Sequence, residues 1–264
     1  MIDARDLHIT FAKGTPLENH ALRGMSLVLE SGEFVTVIGS NGAGKSTLLN
    51  ALAGEVLVDT GSIVIDGVDV TRLPTHERAV RVARVFQNPL AGTCERLTIE
   101  ENLALAIKRG QRRGLGRAVK PRYMNRFKEV LAGLDLGLEN RLKDRMGLLS
   151  GGQRQAVSLL MASMTPSSIL LLDEHTAALD PKTAAFVLKL TKEIINAQEL
   201  TTLMVTHSMR QALEVGSRTL MLHQGKVAFD VQGEERAGMQ VADLLQLFER
   251  QRGESVSNDA LLLG

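Results

Sequence analysis

A glycine-rich loop between a short apolar run and a helical segment is the feature that most constrains how this chain folds. The run 34–38, Phe-Val-Thr-Val-Ile, has the composition of a strand buried on both faces of a parallel sheet. Residues 39–46 follow as Gly-Ser-Asn-Gly-Ala-Gly-Lys-Ser and fit the phosphate-loop pattern G-x-x-x-x-G-K-[S/T]. A helix over 46–52 comes next, so strand, loop and helix stand in the order that the pattern requires. This order predicts an α/β nucleotide-binding domain.

Each residue type in this loop has a physical role in holding a phosphate. Glycines let the backbone curl until several N–H groups point at one centre, and the start of the helix adds positive potential there. Lys45 supplies a mobile charge for the β- and γ-phosphates of ATP, and the Ser46 hydroxyl is a ligand for Mg²⁺. We expect ATP to be bound by the loop and the residue after it: Gly39, Ser40, Asn41, Gly42, Ala43, Gly44, Lys45, Ser46 and Thr47.

Three other apolar runs end in polar side chains that suit catalysis. Asp173 and Glu174 follow the run 169–172, at the kind of strand end where open α/β sheets bind ligands. Asp173 would hold Mg²⁺, and Glu174 would polarise the attacking water as a general base. Gln87 follows Val85-Phe86, and His207 follows Val205-Thr206. Four apolar runs, counting the one before the phosphate loop, thus end in residues suited to phosphate binding or catalysis. This pattern predicts a reaction centre assembled along one sheet edge.

The pentapeptide 149–153, Leu-Ser-Gly-Gly-Gln, precedes a predicted helix from Arg154 to about Met164. Ser150 with Gln153 three residues later fits a capping box, which any helix could use. Two glycines in a first helical turn each cost about 1 kcal/mol relative to alanine. They become useful where a phosphate must approach bare backbone N–H groups, so the segment is a candidate second anion site.

At this point the chain resembles the ABC ATPase family, whose signature motif is L-S-G-G-Q. The likeness covers nearly the whole chain, because the family's motifs occur here in the family's order: the phosphate loop, Gln87 of the Q-loop, the signature, Asp173-Glu174 as Walker B and catalytic glutamate, Ala178-Leu179-Asp180 as the D-loop, and His207 as the switch histidine. Phe11 stands where the family has an aromatic ring, usually tyrosine, to stack on adenine.

The resemblance implies a P-loop NTPase with a RecA-like parallel-sheet core, an N-terminal antiparallel β subdomain and an inserted helical subdomain. It also implies a homodimer in which the signature of one copy contacts the ATP held by the other, through Ser150, Gly151, Gly152, Gln153 and Asp180. The residues implied for catalysis are Glu174, His207 and Gln87, and those implied for Mg²⁺ are Ser46, Gln87 and Asp173.

The chain departs from the family at His175, where D-E-P-T is usual and proline would fix φ. The pattern D-E-H-T-A-A-L-D-P, together with Phe-Gln-Asn-Pro over 86–89, is similar to that of a bacterial importer subgroup. Those ATPases are encoded with a binding protein and a membrane permease. The likeness implies import, with an amino acid such as tryptophan or tyrosine as cargo.

The spacing of apolar residues changes along the chain, and these changes predict its division into subdomains. Short strands open it, a hairpin turns at Asp66-Gly67, and a helix from about Thr75 has apolar spacing at Ala79, Val82 and Ala83. From Pro89 to Thr165 helical periodicity replaces the strands, which return afterwards. We therefore expect an ATP-binding core of 1–88 and 166–249, a helical subdomain of 89–165 and a tail of 250–264.

Composition restricts the remaining possibilities. The 264 residues carry a net charge of +1, and the single cysteine, Cys94, cannot form an intramolecular disulfide. No run is long and apolar enough to cross a bilayer, so a transport role needs a separate permease and a place at the cytoplasmic face of the membrane. Nine basic residues lie between Lys108 and Lys128, either as a solvated face or near an anionic leaflet. Aromatic residues are too scarce, at 3%, to favour nucleic acid as a partner.

Two functions remain open at this stage. The first is a transporter motor, in which ATP binding closes the dimer and hydrolysis reopens it. The second is an ABC ATPase without transport duty, such as an iron–sulfur assembly subunit. No sustained heptads indicate a chromosome-type coiled coil, and the length holds one ATPase unit where ribosome factors carry two.

Overall fold

The computed structural model describes residues 1–111, 114 and 116–252, and its backbone packing divides the chain into two compact units. Of the described residues, Met1–Arg78 and those from Glu199 onward form the first unit, and those within Ala79–Gln198 form the second. The first unit begins with β1 (Ile2–Phe11), β2 (Asn19–Leu29), β3 (Phe34–Gly39), α1 (Lys45–Ala53), β4 (Thr60–Ile65), β5 (Val68–Asp69) and α2 (Thr75–Arg78).

The second unit consists of helices and two strands. In chain order these are β6 (Val82–Val85), α3 (Ile99–Ala106), α4 (Met124–Ala132), α5 (Gly151–Ser163), β7 (Ile169–Asp173) and α6 (Pro181–Gln198). The first unit then resumes with β8 (Thr202–Val205), α7 (Met209–Glu214), β9 (Arg218–His223), β10 (Lys226–Gln232), α8 (Gly233–Ala237) and α9 (Val241–Arg252).

The first unit contains an antiparallel sheet in the order β2-β1-β4-β5. β4 and β5 pair antiparallel across Asp66 and Gly67, which have φ values of 48° and 75°. Two consecutive positive φ values are typical of the type I′ turn, which matches the right-handed twist of the strands that it joins. The predicted hairpin and the predicted N-terminal strands are confirmed.

The phosphate loop extends from a fully buried strand of this unit. β3 pairs in parallel with β8 on one side and with β9 on the other, and β10 continues the sheet antiparallel to β9. All six residues of β3 are buried, as the apolar run predicted. Its Ile38 packs in a cluster with apolar side chains of α7, β9 and α9: Met209, Ala212, Met221, Leu244 and Phe248.

The structure corrects one prediction in the second unit. The helix expected to run from Thr75 past Ala83 ends at Arg78, whose guanidinium donates to carbonyls of the first unit at Leu73, Leu52 and Thr71. Val82 and Ala83 instead lie in β6, paired in parallel with Ile169 and Leu170 of β7. A short apolar run does not distinguish a buried strand from a helix, and pairing with β7 decides it here.

The helical texture predicted between the strands is confirmed by α3, α4 and α5, which are joined in part by 3₁₀ turns at Pro121–Tyr123, Leu138–Asn140 and Met146–Leu148. At the C-terminus, α9 continues to Arg252, and the rest of the predicted tail lies outside the described residues. In the part of the chain that the structure describes, no helix combines the length and apolarity that crossing a membrane requires.

Candidate functional site

The phosphate loop is held in shape by its glycines. Gly39, Gly42 and Gly44 have φ values of 147°, 77° and 102°, in the region that favours glycine over residues with a side chain. A Cβ on Gly39 would overlap the carbonyl oxygen of Leu222, and one on Gly44 would lie 2.8 Å from that of Ala21. The loop conformation therefore depends both on backbone freedom and on close backbone approach.

The start of α1 leaves its amides available to an anion. Its N-cap is Gly44, which has no side chain to accept a hydrogen bond, and its first turn has no acidic residue. The first amides of a helix lack intrahelical acceptors, so they attract phosphate. Lys45 is buried at this end, and its Nζ donates to the carbonyl oxygens of Gly39 (2.7 Å) and Ser40 (3.1 Å). Ser46 beside it is exposed.

Asp173 and Glu174 lie at the end of β7, as predicted. The carboxylate of Asp173 accepts a hydrogen bond of 2.6 Å from the guanidinium of Arg84 on β6. Glu174 has a φ of 43°, which is uncommon for a residue with a side chain and costs about 1–3 kcal/mol. The turn is closed by the amide of Ala177, which donates to the Glu174 carbonyl at 2.9 Å. The chain thus bends sharply at the predicted general base.

His175 is buried and anchored to α6. Its exposed fraction is 1%, and its Nε2 lies 2.9 Å from the hydroxyl of Thr191. That hydroxyl donates to the carbonyl of Val187 at 2.8 Å, so we assign the proton to Nε2 of His175, which donates to Thr191. Burial lowers the pKa of His175 to about 4, so the ring is neutral at pH 7. Burial and this hydrogen bond therefore restrain residue 175, where a proline would restrain the chain by fixing φ.

The predicted capping box is confirmed at the start of α5. The Ser150 hydroxyl accepts from the amide of Gln153, and the Gln153 side-chain oxygen accepts from the amide of Ser150, both at 3.2 Å. Gly151 is exposed. A Cβ on Gly152 would overlap Cγ2 of Thr183 on α6 unless that side chain moved, so close helix packing favours glycine there. Packing is thus one reason for Gly152 besides the approach of a phosphate.

The other predicted residues lie at element ends. Asp180 precedes α6, and its pKa is lowered by hydrogen bonds from the side chain of Thr183 and from the amide of the same residue, the latter at 3.1 Å. Gln87 is exposed just after β6, His207 is half-buried just after β8, and Phe11 ends β1 with 40% exposure. An exposed ring at a strand end has a face free to stack, as the adenine role needs.

Asp173 and Ser46 each carry an oxygen of a kind that suits Mg²⁺. Among the described residues no three His, Cys, Asp or Glu side chains cluster as a metal cage. Mg²⁺ is usually held by one or two carboxylates together with phosphates and water, so such a cage is not required. Asp173 offers a carboxylate that is 14% exposed, and Ser46 offers an exposed hydroxyl. Both are hard oxygen donors of the kind that Mg²⁺ prefers.

Sequence reasoning missed two polar residues of the second unit. Arg84 interrupts the apolar run of β6, and that interruption was the available signal. Gln155 on α5 is fully buried, and its side-chain nitrogen donates to the carbonyl of Phe86 at 3.2 Å, next to Gln87. No pattern along the sequence distinguishes Gln155 from an exposed helical glutamine.

Part of the basic stretch has a structural role. Arg109 donates to the carbonyls of Ala162 and Thr165, both at 2.8 Å, and Arg126 donates to that of Met164 at 3.0 Å. Cations at a helix C-terminus satisfy its free carbonyls and complement its dipole. These two arginines therefore hold the end of α5. Arg112 and Arg113 lie outside the described residues.

A buried parallel strand, a glycine loop and a helix without a side-chain cap define a P-loop nucleotide-binding domain. The family model described as ABC transporter matches residues 22–177, and the chain belongs to this family. It is an ATP-binding ATPase of the ABC type, with the P-loop α/β fold of that family. The signature, the phosphate loop and Asp173-Glu174 all lie within the matched residues.

Two similar proteins have names that agree with membership of this family. The chain is 42% identical over 249 residues to the tyrosine transport ATP-binding protein of Clostridioides difficile (strain R20291), covering 94% of this chain and 99% of that one. It is 36% identical over 215 residues to the thiamine import ATP-binding protein of Escherichia coli (strain K12), covering 81% and 88%.

Two solved structures of ATP-binding cassettes share the fold. A dimeric cassette in a post-hydrolysis state, bound to ADP and Pi, superposes with a TM-score of 0.74 at 29% identity, covering 88% of this chain and 98% of that one. A cassette of an ABC transporter in its ADP conformation gives a TM-score of 0.78 at 24% identity, covering 96% and 99%.

Proposed function

We propose that this chain is the motor subunit of an importer, in which two copies close around two ATP molecules and reopen after hydrolysis. The observation that carries the proposal is that one chain has two helix starts suited to anions, at α1 and at α5. A phosphate loop alone binds one nucleotide, so a second such helix start has a use if it faces the ATP of another copy. The solved relative that is a dimer supports this arrangement.

Within each copy we assign the following roles. The phosphate loop binds the phosphates through its amides and Lys45, and Phe11 stacks on adenine. Ser46, Gln87 and Asp173 would hold Mg²⁺, which when bound neutralises phosphate charge. Glu174 accepts a proton from the attacking water, as a general base. Gln87 and His207 orient the reacting groups.

Across the dimer, the opposite copy completes each site. Ser150, Gly151, Gly152, Gln153 and Asp180 contact the ATP held by the partner. The Ser150 hydroxyl, which accepts in the capping box, still has its own proton to donate to a phosphate oxygen. We further assign 89–165 as the helical subdomain that carries the signature, and the two flanking ranges, 1–88 and 166–249, as the ATP-binding core.

We propose that the cargo is an aromatic amino acid of the tyrosine type. The support is the 42% identity with a relative named for tyrosine transport, against 36% for one named for thiamine import. The partners are then a second copy of this chain, an integral permease at whose cytoplasmic face the dimer sits, and an extracytoplasmic binding protein. Nucleic acid is not a partner in this proposal.

Glu174→Gln tests the motor mechanism. The amide keeps the size of the side chain and loses the base, so we expect ATP turnover to fall about 10²–10⁴-fold while ATP binding persists. ATP should then trap a dimer, measured by light scattering on a sizing column with ATP and with ADP. Parental turnover by this variant would exclude Glu174 as the base.

Purification from the native membrane tests the transport role. A hydrophobic multispanning protein should co-purify with the tagged chain, and the pair in vesicles with the binding protein should import tyrosine in an ATP-dependent manner. Thiamine is the matched control cargo. A complex made of soluble proteins alone would instead favour an assembly-type ABC ATPase.

A further inference from the structure

Arg84 contacts the side chain assigned to Mg²⁺. Its Nη2 lies 2.6 Å from Oδ2 of Asp173, and the two side chains are 10% and 14% exposed. Arg84 is on β6 and Asp173 ends β7, and these strands pair in parallel with Val85 opposite Leu172. The ion pair therefore spans adjacent strands and is largely removed from solvent.

A neighbouring ring restricts the arginine further. The guanidinium carbon of Arg84 lies 4.7 Å from the ring centroid of Phe86, within the range of a cation–π contact. Phe86 directly precedes Gln87, another residue assigned to the metal. Arg84 is thus placed between the strand end that carries Asp173 and the segment that carries Gln87.

We propose that Arg84 is a positioning residue that holds the Asp173 carboxylate when no metal is bound and lowers the affinity of the site for Mg²⁺. This rests on the proposed role of Asp173. An arginine paired with a partly buried carboxylate removes the cost of leaving that charge alone. The same positive charge opposes a divalent cation at the same oxygens, so Mg²⁺ must displace or share the contact.

The charge of Arg84 affects whether the metal binds alone or together with nucleotide. Mg²⁺ arriving with ATP brings phosphate charge that can compensate the released guanidinium, whereas free Mg²⁺ brings none. Arg84 therefore favours loading of the metal together with nucleotide over loading of the metal alone. Arg84 therefore changes the affinity of the site for metal and not the rate of the chemical step.

The test measures Mn²⁺, a spectroscopic substitute for Mg²⁺, by electron paramagnetic resonance on the full chain, without nucleotide and loaded with a non-hydrolysable ATP analogue. Arg84→Met keeps much of the stem and removes the charge, so we expect half-saturation without nucleotide at a concentration lower by on the order of tenfold, and a smaller shift in the same direction with the analogue. Arg84→Lys retains a charge and should stay within about twofold of the parent by the same coupling argument. In an Asp173→Asn background, Arg84→Met should cause no shift.

Lys143→Met is the matched control, because it removes one partner of another ion pair of this unit, with Glu100 at 2.7 Å, that does not include Asp173. It should leave Mn²⁺ half-saturation at the parental value. If Arg84→Met does not fold, Arg84→Gln replaces it with the same expectation. A parental half-saturation in the uncharged variant, or a shift that persists without Asp173, would overturn the role of Arg84. A parent chain that binds no nucleotide would overturn the proposed function as well.

Discussion

The two helix starts, at α1 and at α5, are built in opposite ways. At α1 no side chain caps the helix, and the conformation comes from glycines at positive φ and from backbone carbonyls that leave no room for a Cβ. At α5 the side chains of Ser150 and Gln153 cap the helix reciprocally, and Gly152 lies against Thr183 of α6.

This difference separates two ways of making an anion site. The start of α1 has no side-chain cap and no acidic residue in its first turn, so it suits binding of phosphate by that chain. At the start of α5 the capping box satisfies the amides of Ser150 and Gln153, so it stabilises the helix start without a ligand. We therefore expect changes at α1 to act on ATP affinity, and changes at α5 to act on hydrolysis or on folding.

Ser150→Arg should separate the two sites most clearly. The long charged side chain blocks the surface where we expect the ATP of the partner, so turnover should fall roughly 10³-fold. ATP affinity of the isolated chain should stay parental, because α1 is untouched. Turnover and equilibrium ATP binding are measured on the same preparation, and full activity of this variant would exclude the composite site.

Lys45→Ala should act at the other helix start and reduce the affinity for ATP. It removes the charged contacts to two phosphates, so ATP affinity should fall on the order of 10³-fold, or about 4 kcal/mol. The measurement is calorimetric titration with ATP, with the melting temperature of the nucleotide-free chain as the control for folding. Parental affinity would mean that the α1 end does not bind the phosphates.

Acidification tests how α6, against which α5 packs, is held. The pKa of His175 is lowered to about 4 in the folded chain, so between pH 6.5 and pH 4 the unfolded chain binds a proton that the folded chain does not. The free energy of unfolding should therefore fall by about 3 kcal/mol as the pH is lowered through this window. Urea unfolding at several pH values measures it. His175→Gln should flatten the curve, and an unchanged slope would refute the assignment.

Gly152→Ala should have the smallest effect, and this effect should come from helix packing. The new Cβ overlaps Cγ2 of Thr183, so the free energy of unfolding should fall by about 1–3 kcal/mol. Gly151→Ala is the matched control, since its Cβ would lie an ordinary 3.6 Å from Leu179. Thr183→Ser removes the clashing methyl and should restore stability to Gly152→Ala. Failure of this rescue would point to a role for Gly152 other than packing.

Much of the fold followed from local patterns. The loop over 39–46 predicted the buried strand β3 and the helix α1, because a phosphate loop requires both. The Asp66-Gly67 turn predicted the β4–β5 hairpin, and Ser150 with Gln153 predicted the cap of α5. Each of these depends on residues within a few positions of one another, so the sequence contains the whole interaction.

Contacts between distant segments were decided only by the tertiary structure. Val82 and Ala83 form a strand because β7, more than eighty residues later, pairs with them. Arg84 reaches Asp173 and His175 reaches Thr191 for the same reason: strand register and helix packing choose the partner of a polar side chain, and sequence spacing does not. The amino-acid sequence by itself determined the family and the chemistry, since motifs are local. Which neighbours restrain those motifs depended on how the chain packs.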